Sequence, residues 1–133
     1  MTRTAHCRCG QLSITVHGDP LGVGVCHCLS CQRRTGSVFA TLATFAAPGE
    51  VAGDASLYVH VGDHGSRFTF RFCPTCGTSV FDTEDGVDVR VSVAVGCFGD
   101  PGFPPPTVSV YDSRRHGWVV LPEGVERFER DPD

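Results

Sequence analysis

The chain has 133 residues, 41% of them hydrophobic and 20% charged, a composition expected of one compact domain spanning residues 1–133. Fifteen Asp and Glu outnumber eleven basic residues for a net charge of −4, and every basic residue is Arg, which disfavours a phosphate-backbone partner and excludes Lys Schiff-base chemistry. Uncharged stretches such as Val38 to Gly49 fall far short of the roughly 20 apolar residues of a membrane helix, and no apolar signal region opens the sequence, so cytoplasmic residence without a membrane or nucleic-acid partner is expected.

The first predicted element is a strand at Leu12-Ser13-Ile14-Thr15-Val16, where apolar and polar residues alternate. One short helical turn is expected from Ser30 to Thr35, with Gly36 as its C-cap. Strands are predicted near Val38 to Phe45, Leu57 to Val61, Arg67 to Phe72, Thr78 to Phe81 and Val87 to Val93, separated by Gly, Pro and Asp turns. Gly99 to Pro106, with three consecutive prolines, is too donor-poor for a central strand and is expected to be a loop whose exposed apolar face borders a cleft. Thr107 to Tyr111 and Trp118 to Leu121 complete the predicted strands, and the charged tail from Glu123 to Asp131-Pro132-Asp133 reads as a frayed terminus. Eight or so short strands imply a mainly β protein, a sandwich or small barrel.

Seven of the eight cysteines lie in three groups: Cys7-Arg8-Cys9-Gly10, Cys26-His27-Cys28-Leu29-Ser30-Cys31 and Cys73-Pro74-Thr75-Cys76-Gly77. Disulfides between such close neighbours are strained, and a reducing cytosol favours metal thiolates over bridges. A Cys pair followed by Gly is a turn that aims two sulfurs at one ion, so Cys7, Cys9, Cys73 and Cys76 form a candidate closed four-Cys zinc site. Cys26, Cys28 and Cys31 supply three ligands from one loop and leave a fourth position for water or substrate, the composition of an open zinc site. A different pairing, with Cys28 and Cys31 joining Cys73 and Cys76 as a zinc ribbon and Cys7, Cys9 and Cys26 as the second set, satisfies the same spacing. Cys97 stands alone between Val95-Gly96 and Phe98-Gly99 and is expected to be a small buried hydrophobe, with completion of the second site as the other option.

His27, flanked by two ligands, could coordinate through its imidazole, although adjacent residues seldom turn toward one ion, and it is the stronger candidate for proton transfer beside the open site. Arg33 and Arg34, on the predicted helical turn, are candidates for holding substrate carboxylates, as well as ordinary surface arginines. The remaining histidines show no metal spacing.

With these groups in place the chain resembles the glutathione-dependent formaldehyde-activating enzyme family, which includes the centromere protein V type. The matching residues are Cys7 to Gly10, Cys26-His27-Cys28-Leu29-Ser30-Cys31-Gln32-Arg33-Arg34-Thr35-Gly36-Ser37 and Phe72-Cys73-Pro74-Thr75-Cys76-Gly77-Thr78, with echoes around Val95-Gly96, Asp100-Pro101 and Trp118. The resemblance implies a small zinc-binding β-sandwich of the β-tent type, with two zinc ions per chain: a structural one matching Cys7, Cys9, Cys73 and Cys76 and a catalytic one matching Cys26, Cys28 and Cys31. It also implies addition of a thiol such as glutathione to formaldehyde, formally a carbon–sulfur lyase running in reverse. Ser109 departs from the pattern, standing where members often carry a histidine.

Two other classes stay open at the level of sequence. One is a non-catalytic zinc-binding module in which both metals are structural and exposed strands or the Pro104 to Pro106 loop bind a protein. The other is a redox role for Cys26 to Cys31, with a reversible disulfide and zinc release on oxidation.

Overall fold

The computed structural model describes residues 1–130. Within them the chain is mostly β, with one α-helix and two sheets. The strands are β1 (Thr2–His6), β2 (Ser13–His17), β3 (Gly22–Cys26), β4 (Ala40–Ala46), β5 (Glu50–Ala52) and β6 (Ser56–Val61), followed by β7 (Arg67–Phe72), β8 (Ser79–Glu84), β9 (Val87–Ala94), β10 (Val108–Val110) and β11 (Glu126–Arg127). The helix, α1 (Leu29–Thr35), lies between β3 and β4. A small sheet has the order β1-β2-β5, and a large one the order β11-β10-β3-β4-β9-β8-β7-β6. All pairings are antiparallel except the parallel pairs of β10 with β3 and with β11.

The alternation that predicts the strands also builds the core. Ile14 and Val16 of β2, with Ala5 of β1 and Leu12, are fully or almost fully buried. They pack with Ala43 and Phe45 of β4, Phe81 of β8, and Val91 and Val93 of β9 in one hydrophobic cluster. The small sheet therefore lies across the middle of the large one, with β2 against β4 and β8. Beyond that cover β6 is an uncovered edge, where Leu57, Val59 and Val61 are exposed.

The helical turn forms where expected and is closed by Gly36, whose backbone (φ 68°) is left-handed and donates its N–H to the Gln32 carbonyl. Its last turn carries Arg33 and Arg34, the favourable end for cations. The proline run is a loop, but not one with an outward apolar face at Phe103: that ring is buried and stacks on Phe98 at 4.9 Å between centroids.

Two further expectations fail. Trp118 to Leu121 is not a strand: Val119 donates to the His116 carbonyl and accepts from the Arg115 guanidinium, so a turn and a side chain take the backbone groups a ladder would need, and Trp118 and Val120 are exposed. The tail does not fray from Glu123, because Glu126 and Arg127 pair with β10; Asp131-Pro132-Asp133 lies outside the described residues. Strands β1, β3, β5 and β11 lack the alternation or the length that would have announced them.

Gly53 follows β5 with φ +89°, and a Cβ there would sit 1.7 Å from the backbone carbonyl oxygen of Gln11. Gly86, in the β8–β9 turn, has φ +80° and open space around it. Gly86→Ala should therefore cost only the left-handed penalty of about 1–2 kcal/mol. Gly53→Ala should cost clearly more, because the Gln11 backbone must also move. Urea unfolding of the metal-loaded variants measures both; equal losses would contradict the close approach.

Candidate metal centres

The β1–β2 connection and the β7–β8 connection are the same kind of turn. In the first, Cys7 N–H donates to the Leu12 carbonyl and Gly10 N–H to the Cys7 carbonyl. In the second, Cys73 N–H donates to the Thr78 carbonyl and Gly77 N–H to the Cys73 carbonyl. Gly10 (φ 85°) and Gly77 (φ 81°) take the left-handed backbone that lets each turn present both sulfurs to one side.

The two turns meet at the junction of the sheets. Cys7 and Cys9 Sγ are 3.6 Å apart, Cys9 and Cys73 Sγ are 3.7 Å apart, and all four sulfurs, Cys76 included, lie within 4.8 Å of one another. Zinc–sulfur bonds of about 2.3 Å at tetrahedral angles place sulfurs about 3.8 Å apart, so the group fits a zinc ion. Polar N–H groups point at the sulfurs: Leu12 N–H at Cys7 (3.3 Å), Gln11 Nε2 at Cys73 (3.0 Å), and Thr75 and Cys76 N–H at Cys73 (3.3 and 3.4 Å). The Thr78 hydroxyl, 3.3 Å from Cys76 Sγ, together with backbone donors, holds that thiol down to about 5. Donors of this kind stabilise thiolates, the form a metal binds.

Cys26 at the end of β3, Cys28 at the N-cap of α1 and Cys31 in its first turn form a second group, again within 4.8 Å of one another. Here the group ends at three. Among the described residues no further Cys, His, Asp or Glu ligand atom joins it. Hydrogen bonds from Cys26 and Cys31 pull the Cys28 thiol down to about 2 while Cys26 is driven far up. Three sulfurs this close ionise together only around a cation, and the donor set suits zinc. The sulfurs group as four and three, Cys7, Cys9, Cys73 and Cys76 together and Cys26, Cys28 and Cys31 together, and the zinc-ribbon pairing of Cys28 and Cys31 with Cys73 and Cys76 is not formed.

His27 does not turn toward this group. Its side chain is fully buried on the other side of the strand end, 5.8 Å from the Phe39 ring, and neither ring nitrogen has a hydrogen-bond partner among the described residues. Burial lowers its pKa and keeps the ring neutral. Its backbone is the tie: the N–H donates to the Val110 carbonyl, and the carbonyl accepts from Gln32 Nε2. Ser109 is likewise fully buried and donates to Asp112 at 2.8 Å. Cys97 packs against the core with its sulfur directed at the Ser79 carbonyl, near Cys7 and Cys76 rather than the three-Cys group, and burial raises its pKa to about 11.

A cleft of about 530 Å³ opens between α1 on one side and β6, β7 and the end of the β7–β8 turn on the other. Arg33 and Arg34 form its helical wall, Phe70 and Phe72 come from β7, His60 comes from β6, and Gly77 belongs to the knuckle of the four-Cys site. Arg34 connects cleft to cluster: its guanidinium lies 4.7 Å from the Phe70 ring centroid, and Nη2 is 4.0 Å from Cys31 Sγ.

A family profile described as glutathione-dependent formaldehyde-activating enzyme matches residues 2–114. The chain belongs to that family. The resemblance carried by the three cysteine groups is thus shown, over most of the chain. Among solved structures, a crystal structure of a Rhodobacter sphaeroides protein superposes with a TM-score of 0.56 at 25% identity, covering 77% of this chain and 91% of that one. A search of curated proteins finds no match.

Gln11 was invisible to motif reasoning, its one cue being its place directly after Gly10. Its amide brackets the Asp54 backbone, donating to the carbonyl at 2.7 Å and accepting from the N–H at 2.9 Å, and the same nitrogen reaches Cys73 Sγ. Gln11→Leu removes a donor to a ligand and should speed loss of one metal ion to a chelator by about 10–100-fold. Timed chelation with colorimetric zinc release checks this; unchanged release would deny Gln11 any part in holding the site.

Proposed function

We propose that this chain is a zinc-dependent enzyme of the carbon–sulfur lyase type, adding a thiol such as glutathione to formaldehyde or a related small electrophile. The observation that carries the reading is the group of three cysteines, with no fourth ligand among the described residues, joined through Arg34 to a cleft that two arginines line. In the reaction the thiol loses its proton, the sulfur forms a bond to the carbonyl carbon, and the carbonyl oxygen takes up a proton, so atoms balance without an oxidant or reductant. Zinc bound there supplies Lewis acidity that lets a thiol sulfur arrive as thiolate at neutral pH.

The chain's own residues do the rest. Cys26, Cys28 and Cys31, brought together by the β3–α1 turn, would hold the ion with three sulfurs and leave it able to take a fourth ligand. The N-cap arrangement, with Cys31 N–H donating to Cys28 Sγ at 3.2 Å, holds the turn in shape. Arg34 places positive charge next to Cys31, offsetting the surplus negative charge of three thiolates plus an incoming one. His27, sealed from solvent, supports the loop, and in this reading the proton for the product oxygen comes from water. The four-Cys site locks the knuckle that forms the opposite side of the cleft. Cysteines kept reduced are consistent with action in the cytoplasm.

The competing interaction-module reading has one observation in its favour, the exposed Leu57, Val59 and Val61 on the edge strand β6. The two readings separate in a rate measurement. Exchange NMR of a glutathione–formaldehyde mixture should show faster interconversion with the zinc-loaded protein, and Cys28→Ser should return it to the uncatalysed rate while bound zinc falls from two ions to one. Two ions bound with no acceleration, and no response of the metal to thiols, would favour the module.

A further inference from the structure

The cleft beside the three-Cys group has an uneven charge pattern. Its helical wall is doubly cationic, Arg33 exposed at the mouth and Arg34 half-buried within. Its β7 side is aromatic, Phe70 and Phe72. Among the described residues, none that lines it is acidic. The acid built into the sheet beside it, Asp82, pairs across strands with Phe70 but is 5% exposed and does not line the space. Desolvation pushes the Asp82 carboxyl up to about 7, against the pull of Arg34 and Arg71, so near neutral pH it is only partly ionised.

Arg34 is also held in place. Its guanidinium packs on the Phe70 ring at 4.7 Å and reaches within 4.0 Å of Cys31 Sγ, so one cation borders both the cleft and a ligand of the open site. A substrate whose sulfur takes the open position therefore meets guanidinium groups within a few bonds of that sulfur. Arginine offers a carboxylate two parallel hydrogen bonds, and repels an ammonium in the same space.

Resting on the function proposed above, we infer that this cleft selects its thiol by negative charge. Thiols with a carboxylate a few bonds from sulfur are accepted, those whose only charge is an ammonium are rejected, and the ammonium of a mixed-charge thiol such as glutathione makes no favourable contact. The aromatic side accommodates an uncharged or apolar body. Recognition is thus one-sided, made through Arg34 with Arg33 and through no acidic partner.

The test uses the full chain loaded with cobalt(II), whose absorption reports a new thiolate ligand, titrated with 3-mercaptopropionate, 2-mercaptoethanol and cysteamine. The ammonium of cysteamine acidifies its thiol, so affinity for the metal alone would favour cysteamine. Selection by charge predicts the opposite order, with 3-mercaptopropionate binding at least about tenfold more tightly than cysteamine and the gap narrowing as salt is raised. N-acetylated glutathione should bind at least as tightly as glutathione. Arg34→Gln, checked for retention of both metal ions, should shrink the preference to about threefold or less; Arg33→Gln, at the exposed cation of the same wall, provides the same readout if Arg34→Gln loses metal. If the thiols ligate the metal in order of acidity and indifferently to salt, the charge selection is overturned while the open-site reading stands. If no thiol changes the cobalt spectrum, the open-site reading itself fails and takes the selection with it.

Discussion

Four sulfur atoms brought within bonding distance of a single ion are the constraint on which the structure turns. Cys7 and Cys9 lie in the β1–β2 turn of the small sheet, Cys73 and Cys76 in the β7–β8 turn of the large one, and the sequence separation between the two pairs exceeds sixty residues. Thiolates at these distances repel one another strongly, and only a cation among them makes the approach favourable. Once joined, the β1–β2 and β7–β8 turns hold the small sheet across the centre of the large one, where Ile14, Val16, Phe45 and Val93 close the core. The same junction fixes Gly77, and through it one side of the cleft.

The two cysteine groups differ in what surrounds them, and the difference is one of electrostatics. The four-Cys group is ringed by N–H and O–H donors from Gln11, Leu12, Thr75, Cys76 and Thr78, which spread its negative charge into the backbone. A group satisfied in this way has little to gain from an added ligand. The three-Cys group takes backbone N–H donors from the first turn of α1, Cys31 N–H at 3.2 Å from Cys28 Sγ among them, and has a full cation beside it, the Arg34 guanidinium at 4.0 Å from Cys31 Sγ, which also lines the cleft. Stability and chemistry are thus assigned to separate ions in the proposed function, and the cleft is walled by parts of α1 and of the β7–β8 turn.

Much of this was legible in the sequence because metal sites depend on spacing, which survives without tertiary information. Cys-x-Cys-Gly and Cys-x-x-Cys-Gly announce sulfurs on one side of a turn, and Arg67 to Phe72 announces a half-buried strand by alternation alone. The glycine-rich Gly22–Cys26 does not, since its strand character comes from pairing with β4 and β10 rather than from its side chains. Trp118 to Leu121 misleads for the opposite reason: its residues favour strands, but the Arg115 side chain takes the backbone acceptor at Val119. His27 shows the limit of adjacency as a guide to function. A residue between two ligands along an extended strand end faces away from them, and here that direction is the interior. Gln11 and Arg34 act through contacts with residues far away in sequence or on another element, Asp54 and Cys73 for one and Phe70 for the other, which no local pattern encodes.

The central claim is that one chain holds two metal ions of unlike coordination, one enclosed by four sulfurs and one by three with a replaceable fourth ligand. Cadmium-113 NMR of the cadmium-loaded protein tests it most directly, because the resonance position reports the number of bound sulfurs at each site separately. The account predicts two resonances, of which the one from the four-sulfur site ignores added thiol and the other moves toward the four-sulfur position. A single resonance, or two that both stay fixed as thiol is added, would contradict it.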